Sequence, residues 1–164
     1  MSKPRLVRST KQLTYAGTAV AVEAAVAKSR AIGAPECIAV VDAGGNLLAF
    51  ARVDGAAVLA REPAIGKAAT SASLGSSTGG IPFEFGANLG LASQGGISNL
   101  GGGFPIVFDG ELLGAIGVGS GTTEQDVAVA EAGCDAVLAA LATGRCSWRM
   151  SPESPCVLAS QSGR

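Results

Sequence analysis

Three charged side chains sit where a charge is out of keeping with its neighbours. Arg52 lies in Phe50-Ala51-Arg52-Val53, Lys67 in Ala64-Ile65-Gly66-Lys67-Ala68-Ala69, and Glu84 between Phe83 and Phe85. A guanidinium fork suits a carboxylate or propionate ligand. A lysine held away from water can anchor an anion or, with a lowered pKa, move a proton. A carboxyl group buried between two phenylalanines would have a raised pKa and suit general acid or base work. Each also has a plainer reading. Arg52 could lie on a solvated strand face or contact Asp54, Lys67 could snorkel to water, and Glu84 could simply be exposed.

A second group could present hydrogen-bond donors. The triplet Gly101-Gly102-Gly103 lets backbone approach a ligand closely and offers amides that attract anions. Ser98 and Asn99 could add side-chain donors, and Asp54, before Gly55, could order Arg52 toward a pocket. A tight turn into the Phe104 strand explains the same glycines. Glu62, after Arg61, fits a first-turn helix charge, Asp42 a turn cap and Asp109 a turn residue. Gly117-Val118-Gly119-Ser120-Gly121 lacks the βαβ context and acidic ribose partner of a dinucleotide site, so neither a Rossmann nor a P-loop reading stands. The expected ligand site is therefore Arg52, Asp54, Lys67, Asn99, Gly101, Gly102 and Gly103, with Lys67, Arg52 and Glu84 as candidate catalytic groups.

The most informative count is zero histidines. It removes Ser-His-Asp and Cys-His catalysis, imidazole bases and His-ligated zinc, iron or haem. Cys37, Cys134, Cys146 and Cys156 form no CxxC pair and no zinc cluster. The first two are expected to be small buried hydrophobes. A Cys146–Cys156 disulfide would be disfavoured in a reducing compartment. Net charge is −1 and only 4% of residues are aromatic, which argues against a nucleic-acid partner. The basic N-terminus has no apolar stretch behind it, and no window approaches a membrane span. A cytoplasmic protein without membrane or metal is expected.

These residues must be positioned by a small set of elements. Residues 10–31 are alanine-rich and free of proline, so a long helix is expected there, capped by Ser9 or Thr10 and stopped at Gly33. Strands 37–41 and 47–53 flank the turn Asp42-Ala43-Gly44-Gly45-Asn46, a hairpin signal. Helical spacing resumes over 58–76, with Pro63 placing the regular start near Glu62. Segment 77–103 carries nine glycines and one proline; its apolar residues imply that it packs on something, and a short helix or strand could lie within it. A second hairpin, 104–108 and 111–118, turns at Asp109-Gly110. Thr122 or Thr123 caps a last helix, 123–142, ended by Gly144. One domain over 1–144 and a mobile tail over 145–164 follow. Two hairpins with helices between them imply one antiparallel sheet with helices packed on it.

Several of these stretches resemble the GlcG/HbpS family, also described as haem-degrading or PduO C-terminal-like. They are Ile38-Ala-Val-Val-Asp42-Ala-Gly44-Gly45-Asn-Leu47, Phe50-Ala-Arg52-Val-Asp54-Gly55-Ala56, Lys67-Ala68, Gly102-Gly103-Phe-Pro105-Ile, Asp109-Gly110, Leu113-Gly114-Ala-Ile116-Gly117-Val118 and Gln125-Asp126. The similarity is collinear from about residue 8 to 142. It implies a profilin-like α/β (α+β) fold with an antiparallel sheet of about five strands, and symmetric homo-oligomers. It also implies haem or another tetrapyrrole as ligand. The absence of histidine leaves only Tyr15, a cysteine, a methionine or a hydroxyl as an axial ligand. The alternative is a cofactor-independent isomerase or lyase acting on a small oxo- or hydroxy-acid. There Arg52 would hold the carboxylate, Lys67 or Glu84 would move the proton, and glycine amides would stabilise an enolate.

Overall fold

Period-two alternation along the strands divides the apolar residues between two faces of one sheet. In a computed structural model, which describes residues 6, 7 and 9–143, the elements run α1 (Tyr15–Ala31), β1 (Cys37–Asp42), β2 (Leu47–Arg52), a single 3-10 turn (Val58–Ala60), α2 (Arg61–Leu74), α3 (Phe83–Ala92), β3 (Gly103–Phe108), β4 (Glu111–Gly119) and α4 (Thr123–Ala142). The sheet is antiparallel throughout, in the order β2-β1-β4-β3. It has four strands rather than about five. The segment that could have held a fifth, 77–103, forms α3 instead. The tail over 145–164, with Cys146 and Cys156, lies outside the described residues.

Ile38 and Val40 of β1, Ile106 of β3, and Ile116 and Val118 of β4 point to one face. There they meet Ala21 and Ala25 of α1 and Val129, Ala130 and Val137 of α4. Cys37, Ala39 and Val41 point to the other face and meet Ala64, Ala68 and Ala72 of α2, together with Ala115. The second interface is built of small residues, which lets helix backbone approach sheet backbone. A Cβ on Gly117 would stand 2.2 Å from the Ala64 carbonyl oxygen and 2.4 Å from the Ala68 nitrogen. The first and last helices, α1 and α4, pack against each other on their shared face.

Local signals explain most boundaries. Thr122 caps α4 with a full capping box: its hydroxyl accepts from Gln125 N–H, and the Gln125 side chain accepts from Thr122 N–H. Asp109 and Gly110 both have positive φ, 52° and 75°, as a type I′ hairpin turn requires. The Asp42 carboxylate accepts from the Asn46 side chain and from the N–H groups of Asn46 and Gly44, which hold its pKa below the usual carboxylate value. Helix α1, however, starts at Tyr15 and not near residue 10. Leu13 N–H bonds to the Leu113 carbonyl of β4, so the chain is held extended until Thr14 caps the helix through Gly17 N–H. Among the described residues no helix is long and apolar enough to cross a membrane.

Candidate functional site

The centre of polar chemistry is a sealed cluster around Lys67. Helix α2 turns this side chain inward, and it is 3% exposed. Its Nζ donates to Asp126 Oδ2 at 2.5 Å and to the Val118 carbonyl at 2.7 Å. Asp126 comes from the first turn of α4 and is 4% exposed. Its other oxygen, Oδ1, accepts from Gly121 N–H at 3.1 Å. The same N–H also donates to Glu36 Oε2 at 2.8 Å. Glu36 immediately precedes β1 and is completely buried, and its Oε1 has no hydrogen-bond partner among the described residues. Burial, followed by the nearby Asp126 carboxylate, pushes the Glu36 pKa up to about 7.

The glycine triplet packs on this cluster. A Cβ on Gly102, whose φ is 105°, would stand 2.7 Å from Asp126 Cβ and 3.3 Å from Lys67 Nζ. One on Gly103 would stand 2.6 Å from the Lys67 carbonyl oxygen and 2.8 Å from Thr78. The Gly102 carbonyl accepts from Val118 N–H, and Gly103 N–H donates to the Thr78 hydroxyl. These backbone groups are committed to the fold, with the glycines allowing close approach.

The other expected site residues lie elsewhere. Arg52 and Asp54 are exposed at the end of edge strand β2, and Arg52 makes no side-chain hydrogen bond or ion pair among the described residues. Glu84 is exposed in the first turn of α3. Asn99 acts as a clip: its side chain accepts from Ile81 N–H and donates to the Ile81 carbonyl. Gly86 packs directly on that amide, and a Cβ there would come within 2.4 Å of it. Gly101 packs near Thr123. The structure therefore brings Lys67, Gly102 and Gly103 together, and it leaves Arg52, Asp54 and Glu84 outside that group.

Asp126 and Glu36 were not singled out as site residues by sequence reasoning. Their signal was nevertheless present. A lysine forced inward by a small-residue helix needs a buried carboxylate, and Glu36 directly abuts the apolar run Cys37–Val41. Cys37 and Cys134 are buried and free, as expected, and burial raises both thiol pKa values, that of Cys134 to about 11.

Open space lies on the outer side of α2. A groove of about 520 Å³ runs between that helix and the 94–100 loop. Its apolar walls are Pro63, Ile65, Ala69, Ile97 and Leu100, and Gly66 forms part of its floor. Its polar side chains are Glu62, Gln94 and Ser98, and Glu62 pairs with the neighbouring Arg61. No lining residue is a cysteine, tyrosine or methionine, and the described residues contain no group of three or more His, Cys, Asp or Glu able to hold a metal ion.

Comparison with known proteins places this architecture. Residues 13–135 match the family described as haem degrading protein, HbpS-like. An uncharacterized 15.0 kDa protein encoded in the dhaT-dhaS intergenic region of Citrobacter freundii is 37% identical over 128 residues, covering 75% of this chain and 90% of that one. The crystal structure of Klebsiella pneumoniae ORFY superposes with a TM-score of 0.76 at 30% identity, covering 83% of this chain and 97% of that chain. A PduOC:heme complex gives a TM-score of 0.68 at 25% identity, covering 76% and 94%. The chain belongs to the HbpS-like family of haem degrading proteins.

Proposed function

We propose that this protein binds a flat, largely apolar small molecule bearing acidic groups, with haem or another tetrapyrrole as the leading class. The observation that carries this reading is the α2/94–100 groove, which combines apolar walls with a volume in the range of small-molecule sites. The solved haem complex of a relative supports the ligand class.

The groove suits the ring better than the metal. Ile65, Ala69, Ile97 and Leu100 would cover the faces of the macrocycle, and Gln94 and Ser98 could hydrogen-bond at its edge. Bound haem would bring a redox-active iron to the site. The described lining offers that iron only oxygen donors, from Glu62, Gln94, Ser98 or backbone carbonyls. For the acidic groups, Arg61 beside the lining residue Glu62 is available, with Glu62 competing for it. Titration of the purified protein with haemin tests the reading. A saturable Soret shift at micromolar concentration is expected, and its absence would end the proposal.

Turnover of a small oxo- or hydroxy-acid through Arg52, Lys67 and Glu84 has less support. Lys67 is sealed in an ion pair, while Arg52 and Glu84 face solvent on other elements. Self-association is supported by the apolar side chains that α3 leaves in water, among them Phe83 at 84% exposure and Leu91 at 80%. Light scattering after size exclusion measures it.

A further inference from the structure

The sealed cluster contains more negative charge than it can balance. Two carboxylates, Glu36 and Asp126, are buried with one ammonium, Lys67, and that ammonium bonds to Asp126. They also share one amide donor, Gly121 N–H, and Glu36 Oε1 has no partner among the described residues. An unpaired charge in such a place is strongly unfavourable, and the ordinary escape is neutralisation by a proton. We infer that Glu36 holds a proton in the folded protein, and that its release on alkalinisation loosens the turn at residues 120–122, so that the cluster is a pH-sensitive latch on the start of α4.

The surroundings support both halves of this inference. A proton on Glu36 turns its repulsive contact with Asp126 into a hydrogen bond. Among the described residues no other charged group takes that role. Arg52, which approaches from β2 opposite Cys37, is exposed and makes no bond to Glu36, and Asp54 beyond it is also exposed. Glu124, in the first turn of α4, faces solvent, and Cys37 adds only a thiol whose pKa burial raises. The turn itself is held by few contacts. Its Gly121 N–H bonds to the two carboxylates, while the Ser120 hydroxyl accepts from Ala57 N–H at 2.9 Å. Ser120 has a φ of 116°, a conformation that a non-glycine residue keeps only when its surroundings enforce it. Space is also tight, since a Cβ on Gly121 would stand 2.2 Å from Glu36 Oε1.

The sign follows from where the proton sits. The Glu36 pKa is about 7 in the folded state against an ordinary 4.5, so the folded state holds more protons between those values. Its stabilising contribution is complete below about 4.5 and is lost as pH rises to about 7.

Denaturant unfolding across this range, on the full chain and on Glu36→Gln, provides the test. Relative to Glu36→Gln, the folded-to-unfolded ratio of the parent is expected to fall by up to about tenfold per pH unit within that window. Amide exchange at Gly121 and Ala57, corrected for intrinsic base catalysis, should rise over the same range in the parent alone. Parallel stability curves for the two proteins would overturn the inference. Should Glu36→Gln fail to fold, infrared difference spectra of the parent decide. Loss of a buried carboxylic-acid band on alkalinisation supports the latch, and absence of any such band at pH 6 refutes it.

Discussion

Helix α2 has two sides with opposite properties. The inner side carries Ala64, Lys67, Ala68 and Ser71 and ends in a sealed polar cluster. The outer side carries Glu62, Ile65, Gly66 and Ala69 and borders an open groove. Ionisable groups crowd the region that water cannot reach, while the lining of the α2/94–100 groove holds one charged residue, Glu62, with Arg61 beside it. Two kinds of evidence that usually coincide, perturbed titration and an accessible cavity, are here separated by one helix. A perturbed carboxyl therefore marks the structural centre of this domain, and the groove proposed for the ligand lies on the other side of the helix.

Replacing Lys67 by Met should break the inner side. It leaves two buried carboxyl groups without a cation and is expected to cost about 3–5 kcal/mol of stability in urea unfolding. The double change Lys67→Met with Asp126→Leu should recover much of that loss; no recovery would mean that the ion pair is not the cause. Gly117→Ala attacks the same side through packing. Its methyl group would meet the Ala64 carbonyl and the Ala68 nitrogen, so the helix must lift from the sheet. A loss of roughly 1–3 kcal/mol or more is expected, read as a lower melting temperature.

On the outer side the expected effects move from stability to binding. Leu100 is 59% exposed and lines the groove. Leu100→Asp should leave stability within about 0.5 kcal/mol while weakening haemin binding about tenfold or more, as loss of one buried leucine implies. Unchanged binding would place the ligand elsewhere. Gly66→Ala has the smallest expected effect and makes the sharpest contrast with Gly117→Ala. The nearest atom to its Cβ would be Ser98 Cβ at 3.7 Å, so the methyl group fits. Helix propensity then favours the variant by about 0.5–1 kcal/mol. A destabilised Gly66→Ala would mean that the 94–100 loop closes onto α2 in solution.

The sequence made the fold more legible than the site. Capping and turn chemistry placed α4 at Thr122 and the second hairpin at Asp109-Gly110 because those signals act over four residues or fewer. The start of α1 differs from the expected one because its determinant, the bond from Leu13 to Leu113, joins elements far apart in the chain. Helix α3 stayed hidden: it has no side-chain cap, and glycines at 86 and 90 conceal its period. Lys67 stood out for a sound physical reason, since a lysine among alanines needs explaining. The sequence could not show that its explanation was Asp126, 59 positions away. An acid in the first turn of a helix, such as Asp126, is already accounted for by the helix dipole, and Glu36 is a single residue between a proline and a strand.

The pairing of α1 with α4 bears on how the chain reaches this structure. Ala21 and Ala25, from the first helix, complete their core only against Val129, Ala130 and Val137 of the last. A chain emerging from the ribosome cannot close that layer until nearly the whole domain has been made. The β1–β2 hairpin and α2 can assemble early, but β1 must then wait for β4, whose Gly119 pairs with Cys37. Such distant pairings slow folding. Until synthesis ends, the alanine face of α1 remains uncovered, which makes the nascent chain a natural client for whatever shields apolar surface in the cell.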